Sequence, residues 1–193
     1  MMPSHQAIAQ PSAWVQRFAS ALPAGARVLD LACGSGRHAC WLAARGAVVL
    51  AVDRDTAVLD NLRGLSNITV RQADLETADS GSAWRDALAG LGFNRFDLIV
   101  VTNYLHRPLL PNIVAAVAAG GMLLYETFAV GNEAYGKPSR PDFLLREGEL
   151  LEAAAGHLQV VAYEQGFTST PKAAQVQRIC AVRAGANVAL DPL

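Results

Sequence analysis

A doubly wound α/β fold, with a mostly parallel seven-stranded sheet closed by a C-terminal antiparallel hairpin, is predicted by three observations. Apolar runs that suit strands alternate with stretches of helical periodicity along most of the chain. Three of these runs end in an aspartate, Asp30, Asp53 and Asp74, at nearly equal intervals. The first run breaks directly into the glycine-rich turn Gly34-Ser35-Gly36, the pattern of a buried strand, a tight turn and a helix start.

Composition sets the bounds. A chain of 193 residues with 52 % hydrophobic and 17 % charged residues is long enough for one domain with a substantial core, and too apolar for bulk disorder. Sixteen basic and seventeen acidic residues give a net charge of -1, with no basic run to follow a phosphate backbone, so nothing signals nucleic acid. Cys33, Cys40 and Cys180 form no C-x-x-C pair, which argues against a disulfide framework or a zinc site. Met1 to Gln6 lack the basic and apolar segments of a secretory leader. The longest uncharged apolar run, Ile113 to Tyr125, is shorter than the ~20 residues of a membrane helix. The expectation is a soluble, cytoplasmic protein.

Taken in order, Pro11 to Leu22 reads as a leading helix with Trp14, Val15, Phe18 and Leu22 at helical spacing, ended by Pro23 and Gly25. Val28, Leu29 and Leu31 make the first strand. Arg37 to Arg45 forms the first crossover helix, with Gly46 at its C-cap, and Ala47 to Asp53 is a strand buried on both faces. Asp55 caps a helix through Leu62, and Ile68 to Asp74 is the third strand. A helix around Trp84 to Leu91 leads to strand Phe96 to Val101, and helix Asn112 to Ala118 leads to strand Met122 to Phe128. Residues 129–146, rich in glycine, proline and charge, are too long for an ordinary connection and read as a functional, lid-like loop. A helix over Glu149 to Ala155 precedes two alternating strands, Leu158 to Gln165 and Gln175 to Arg183, and the tail beyond Gly185 reads as mobile.

Parallel strands would gather Asp30, Asp53 and Asp74 along one sheet edge, where open α/β sheets bind their ligands. Gly34-Ser35-Gly36-Arg37-His38-Ala39 satisfies G-x-G-x-x-G/A, and Asp53 lies where a dinucleotide ribose would need it. Asp30, just before the turn, repels a pyrophosphate and attracts a ligand carrying an ammonium and a sulfonium. The charge pattern therefore favours S-adenosylmethionine over NAD.

The stretch Leu29-Asp30-Leu31-Ala32-Cys33-Gly34-Ser35-Gly36 resembles the first motif of the class I S-adenosylmethionine-dependent methyltransferases, with Ala32 where glycine is commonest. The likeness spans residues 26 to 184 and implies a Rossmann-like fold and transfer of a methyl group. It also implies a cofactor site made by Asp30, the loop Ala32, Cys33, Gly34 and Gly36, then Asp53 and Arg54, then Asp74 and Leu75. Asn103 and Tyr104 would form the floor. Asp53 would accept from the ribose hydroxyls, Asp74 from the adenine amino group, and Leu75 would pack on the ring.

Strand four runs into Thr102-Asn103-Tyr104-Leu105-His106-Arg107-Pro108, which lacks the Asn/Asp-Pro-Pro-aromatic signature of amino-methylating relatives. Tyr104 is a candidate cation–π partner, and His106 reads equally as a general base or as a residue leading into the helix after Pro108. Glu126, at the end of strand five, is the third catalytic candidate and needs a cationic partner such as Arg140 or Arg146. The loop and Phe143-Leu144-Leu145-Arg146-Glu147-Gly148-Glu149-Leu150 are similar to small methyltransferases of the tellurite-resistance type, which implies a small acceptor such as a thiol or chalcogen oxyanion. Two other readings stay open, an NAD-linked oxidoreductase and a non-catalytic S-adenosylmethionine-binding sensor or partner subunit.

Overall fold

The structure, a computed structural model, describes residues 10–185. The leader and tail expectations concern residues outside that range. Seven strands form one sheet in the order β3-β2-β1-β4-β5-β7-β6. They are β1 Arg27–Leu31, β2 Val48–Asp53, β3 Ile68–Gln72, β4 Phe96–Thr102, β5 Val117–Phe128, β6 Gln159–Thr168 and β7 Ala174–Val182. The first five pair in parallel, and β7 inserts antiparallel between β5 and β6. Because β1 pairs with both β2 and β4, the winding reverses there and opens a crevice at the carboxyl ends of these strands.

The helices are α1 Ala13–Ala19, α2 Arg37–Ala43, α3 Thr56–Asp60, α4 Ser80–Leu88, α5 Leu110–Ala115 and α6 Glu149–Ala154. Most are shorter than their sequence periodicity suggests. α4 starts four residues earlier than expected, because Asp79 caps it by accepting the Ser82 amide at 2.9 Å. α5 is preceded by a 3-10 turn at Arg107–Leu109 and gives way at Ala116. β5 consequently begins at Val117, paired to Phe96, and an irregularity carries it past Gly120 before Met122 pairs with Leu98. A Cβ on Gly121 would strike the Phe96 carbonyl, so that close approach requires glycine.

The inner strands β1, β2, β4, β5 and β7 are buried on both faces, as their apolar runs demand, while the edge strands β3 and β6 stay partly exposed. On one face Val28, Val49, Ala51, Leu98, Val100 and Leu124 meet α1, α2 and α3. On the other Leu29, Leu31, Val52, Ile99, Val101 and Tyr125 meet α4, α5 and α6. Each fully buried aliphatic contributes about 1.5–3 kcal/mol. α1 is fixed by Trp14, whose Nε1 donates to the Ile179 carbonyl at 3.2 Å, and by buried His38 of α2, whose Nε2 accepts the Ser12 amide at 3.1 Å.

Residues 129–146 form a tied excursion. Val130 donates to Leu145 and Leu145 to Phe128, both at 2.9 Å, so the two ends meet as a parallel bridge. Inside it, buried Asn132 donates to the Pro138 carbonyl at 2.8 Å and accepts the Gln175 amide at 3.2 Å. The far end is held by Arg107, which donates to both oxygens of Glu149 at 2.7 and 2.9 Å and to the Asp142 and Leu144 carbonyls, each at 2.8 Å. Burial alone would raise the Glu149 carboxyl, but these bonds and the Arg146 amide outweigh it and hold the pKa below the usual range.

Glu149→Ala should cost about 1.5–3 kcal/mol in urea unfolding, the range for hydrogen bonds to charged groups. The full penalty of a buried pair does not apply, since Arg107 keeps 32 % of its side chain exposed. His38 gives a second prediction. Burial, with Arg37 adding to it, pushes its pKa from 6.5 down to about 3, so the folded state holds a neutral ring while the unfolded chain takes up a proton. Its contribution is therefore complete above pH 6.5 and shrinks as the pH falls towards 3. His38→Gln keeps an acceptor for Ser12, and between pH 6 and 4 its stability relative to the parent should rise by about 1.4 kcal/mol per pH unit.

Candidate functional site

The glycine turn is held open by Asp53. One carboxylate oxygen accepts the Gly34 amide at 2.8 Å and the other the Asp55 amide at 3.0 Å, joining the turn to the end of β2. Within the turn Ala32, Gly34 and Gly36 have φ of 52, 53 and 73°. The left-handed conformation costs an alanine roughly 1–2 kcal/mol, and it lets the chain reverse without placing bulk on the crevice side. At Gly34 no atom lies within 4 Å of where a Cβ would stand, so the backbone is open to a ligand.

Asp30 differs from its expected posture. The sequence suggested a carboxylate facing the ligand; in the structure it is 1 % exposed and accepts the Ala39 amide of α2 at 2.9 Å. Burial pushes its pKa up to about 8, against the lowering effects of that amide and Arg37. Cys33 is buried, and burial with the charge of Asp30 drives its thiol pKa upward, which leaves it an inert part of the turn.

A second group forms where the ends of β2, β3 and β4 come together. Asp74 is exposed and accepts the Glu76 amide at 3.0 Å, while Leu75 is buried in the α4–α6 face of the core. Tyr104 packs against the same core, and its hydroxyl pKa is raised by burial first and then by Glu76 and Asp74, with Arg54 opposing. Tyr104 thus belongs with Arg54, Asp74 and Glu76. The fully buried Tyr125 donates to the Tyr104 carbonyl at 2.9 Å and fixes this segment. Exposed Asn103 has a φ of 55° and donates to the Glu126 carbonyl at 2.9 Å, linking the ends of β4 and β5.

The third group corrects the expectation for Glu126. Its partner is Arg178 of β7, and neither Arg140 nor Arg146 takes that part. Arg140 pairs with Asp142, and Arg146 with Glu149. Register aligns Glu126, Arg178 and Glu164 in one row across β5, β7 and β6, and Arg178 reaches Glu164 at 3.1 Å. Arg37, which the sequence reading left out of the site, is half-buried at the start of α2, lies in the field of both Glu126 and Asp30, and donates to the Gln10 carbonyl at 3.2 Å. Its position directly after Gly36 was the available signal. His106 lies beyond β4, with Nε2 2.8 Å from the hydroxyl of Ser80 in α4.

The arrangement offers carboxylate acceptors at Asp53 and Asp74, an apolar wall at Leu75 and Tyr104, a carboxyl under the turn and a guanidinium beside it. That donor set fits a hydroxyl-rich purine nucleoside with a zwitterionic, cationic tail. Among the described residues no cluster of His, Cys, Asp or Glu is arranged to hold a metal ion, and no helix is long and apolar enough to cross a membrane.

Comparison with known proteins gives concordant results. The ribosomal RNA small subunit methyltransferase C of Chromohalobacter salexigens is 34 % identical over 85 residues, which is 44 % of this chain and 23 % of that protein. The chain thus matches less than a quarter of that relative's length. TehB from Haemophilus influenzae superposes with a TM-score of 0.66 at 20 % identity, over 86 % of this chain and 59 % of that one. An S-adenosylmethionine-dependent methyltransferase from Mesorhizobium loti superposes at 0.62 with 19 % identity, over 84 % and 94 %. At these identities the two structures establish the fold. The methyltransferase domain family matches residues 4–162, most of the sequence and all of the crevice edge from Asp30 to Glu126, and the chain belongs to that family.

Proposed function

We propose that this chain transfers a methyl group from S-adenosylmethionine to a small-molecule acceptor in the cytoplasm. The observation that carries the reading is the convergence of Asp30, the Ala32–Gly36 turn, Asp53 and Asp74 on one edge of the sheet, at the point where its winding reverses. The cofactor supplies an activated methyl group on a sulfonium. The protein's work is then to align the acceptor with that methyl and exclude water.

The side chains divide that work. Asp53 has lone pairs left for the ribose hydroxyls, Asp74 accepts from the adenine amino group, and Leu75 and Tyr104 enclose the ring. Arg37 takes the carboxylate of the methionyl end and Asp30 favours its cationic groups. Asn103 and the Glu126–Arg178 pair line the acceptor side, with residues 129–146 above it. His106 is the base for an acceptor that must lose a proton. Glu126, engaged by a guanidinium, serves better as an anchor than as a base.

An oxidoreductase reading gains no support, because the family match is to a methyltransferase domain. The ribosomal RNA relative makes an RNA acceptor the second reading. A net charge of -1 without a basic run in the sequence weighs against it.

Asp53→Ala should weaken S-adenosylmethionine and S-adenosylhomocysteine alike by about 10- to 100-fold in calorimetric titration, the equivalent of one or two charge-assisted hydrogen bonds. Unchanged affinity would place the nucleoside elsewhere. Asp30 predicts a pH dependence. With its pKa raised to about 8 in the free protein, it holds a proton at neutral pH, and a cation bound above the turn favours its ionised form. Affinity should therefore rise with pH up to about 8 by as much as tenfold per unit and level off beyond. In Asp30→Asn the profile should retain only the titration of the ligand's own amine.

A further inference from the structure

The bonds of Ser80 carry an inference about how His106 is prepared. A serine hydroxyl has one proton to donate and two lone pairs to accept with. Ser80, 7 % exposed at the first turn of α4, donates that proton to the Thr77 carbonyl at 3.0 Å. A carbonyl can only accept, so with the hydroxyl proton committed there, the 2.8 Å contact with His106 requires the ring to donate from Nε2. The opposite tautomer would set the Nε2 lone pair against the hydroxyl oxygen, or pull the proton away from Thr77. Either outcome gives up one of the two hydrogen bonds of a hydroxyl that is 7 % exposed, a net loss of about 0.5–1.5 kcal/mol.

We propose that Ser80 is a positioning residue that locks His106 in the Nε2–H tautomer, leaving Nδ1 as the basic nitrogen that takes the acceptor's proton. This rests on the methyltransferase reading for its chemistry. His106 precedes the 3-10 turn at Arg107–Leu109 without capping it through its side chain, and among the described residues Nδ1 accepts no hydrogen bond. The segment bearing the ring is held independently, by Tyr125 at Tyr104 and by Arg107 at Glu149. In the transfer, a lone pair of the acceptor atom forms the bond to the methyl carbon while the carbon–sulfur bond breaks and its pair stays on sulfur. The proton released from the acceptor atom goes to Nδ1. Ser80 loses nothing in the step, because Nε2 donates to it in both the neutral and the protonated ring.

Nitrogen-15 spectra of the histidine rings at pH 8 test this without an identified acceptor. The parent should show His106 protonated at Nε2 and pyridine-like at Nδ1. Ser80→Ala should lose that single tautomer and give an averaged pair of shifts, whereas Ser80→Thr, which retains the hydroxyl, should restore it. A ring protonated at Nδ1 in the parent, or one unaltered in Ser80→Ala, would overturn the proposal. Saturation with S-adenosylmethionine should move the Nδ1 resonance further than S-adenosylhomocysteine does, since the two differ in the sulfonium methyl and its charge. Equal displacement by both ligands would mean that Nδ1 faces away from the methyl and would also overturn it. Failure of both ligands to bind in calorimetry would instead refute the cofactor reading, with the tautomer result standing on its own.

Discussion

The crevice depends on the two hydrogen bonds that Asp53 accepts from the amides of Gly34 and Asp55. Without them β1 and β2 would still lie side by side and Cys33 would still donate to the Val52 carbonyl, but Gly34 would lose its tie to the end of β2. One carboxylate closes that gap and supplies a charge at the same spot. Such an anion, set against amide donors and half-exposed, keeps its ability to accept from a ligand because each oxygen has a second lone pair. On the proposed reading, structure and recognition share one side chain.

Around this point charges of unlike burial are graded. Asp74 is open to water, Asp53 is half-covered, and Asp30 lies under the turn with its pKa raised by burial. Across the crevice Arg37, Glu126 and Arg178 alternate in sign. The edge thus carries carboxylates over β2 and β3, with Arg54 beside Glu76, and charges of alternating sign towards β5, β7 and β6.

The sheet and its edge were legible in the sequence because each depends on local pattern. Continuous apolar runs in β1, β2 and β4 signalled burial on both faces, and an aspartate after a run signalled a strand end. What escaped was set by distant registration. Glu126 meets Arg178 only because β7 slots between β5 and β6, and nothing within either strand encodes that neighbour. The start of β5 was missed because Ala116 to Gly121 has the composition of a helix end, while its pairing to Phe96 comes from another element. Ser80 and His106 lie 26 residues apart on elements whose contact follows from the packing of α4 against the 3-10 turn. The Asp79 cap was visible in Asp79-Ser80-Gly81-Ser82, where an acidic residue precedes a small, polar first turn.

The bridge at Ala129 and Leu145 makes the intervening segment a cassette. Its two ends are stitched to one another and to β5, and buried Asn132 adds a tie to Gln175 of β7, so only the exposed residues between Asn132 and Pro138 lie outside the sheet's register. Lengthening that exposed stretch would add only the slow, logarithmic entropy of a larger loop. The crevice edge over β1, β2 and β3 carries no such interchangeable part, since its walls are the strand ends themselves. Under the proposed function, diversification within this architecture is thereby channelled away from the cofactor half, which the sheet holds fixed.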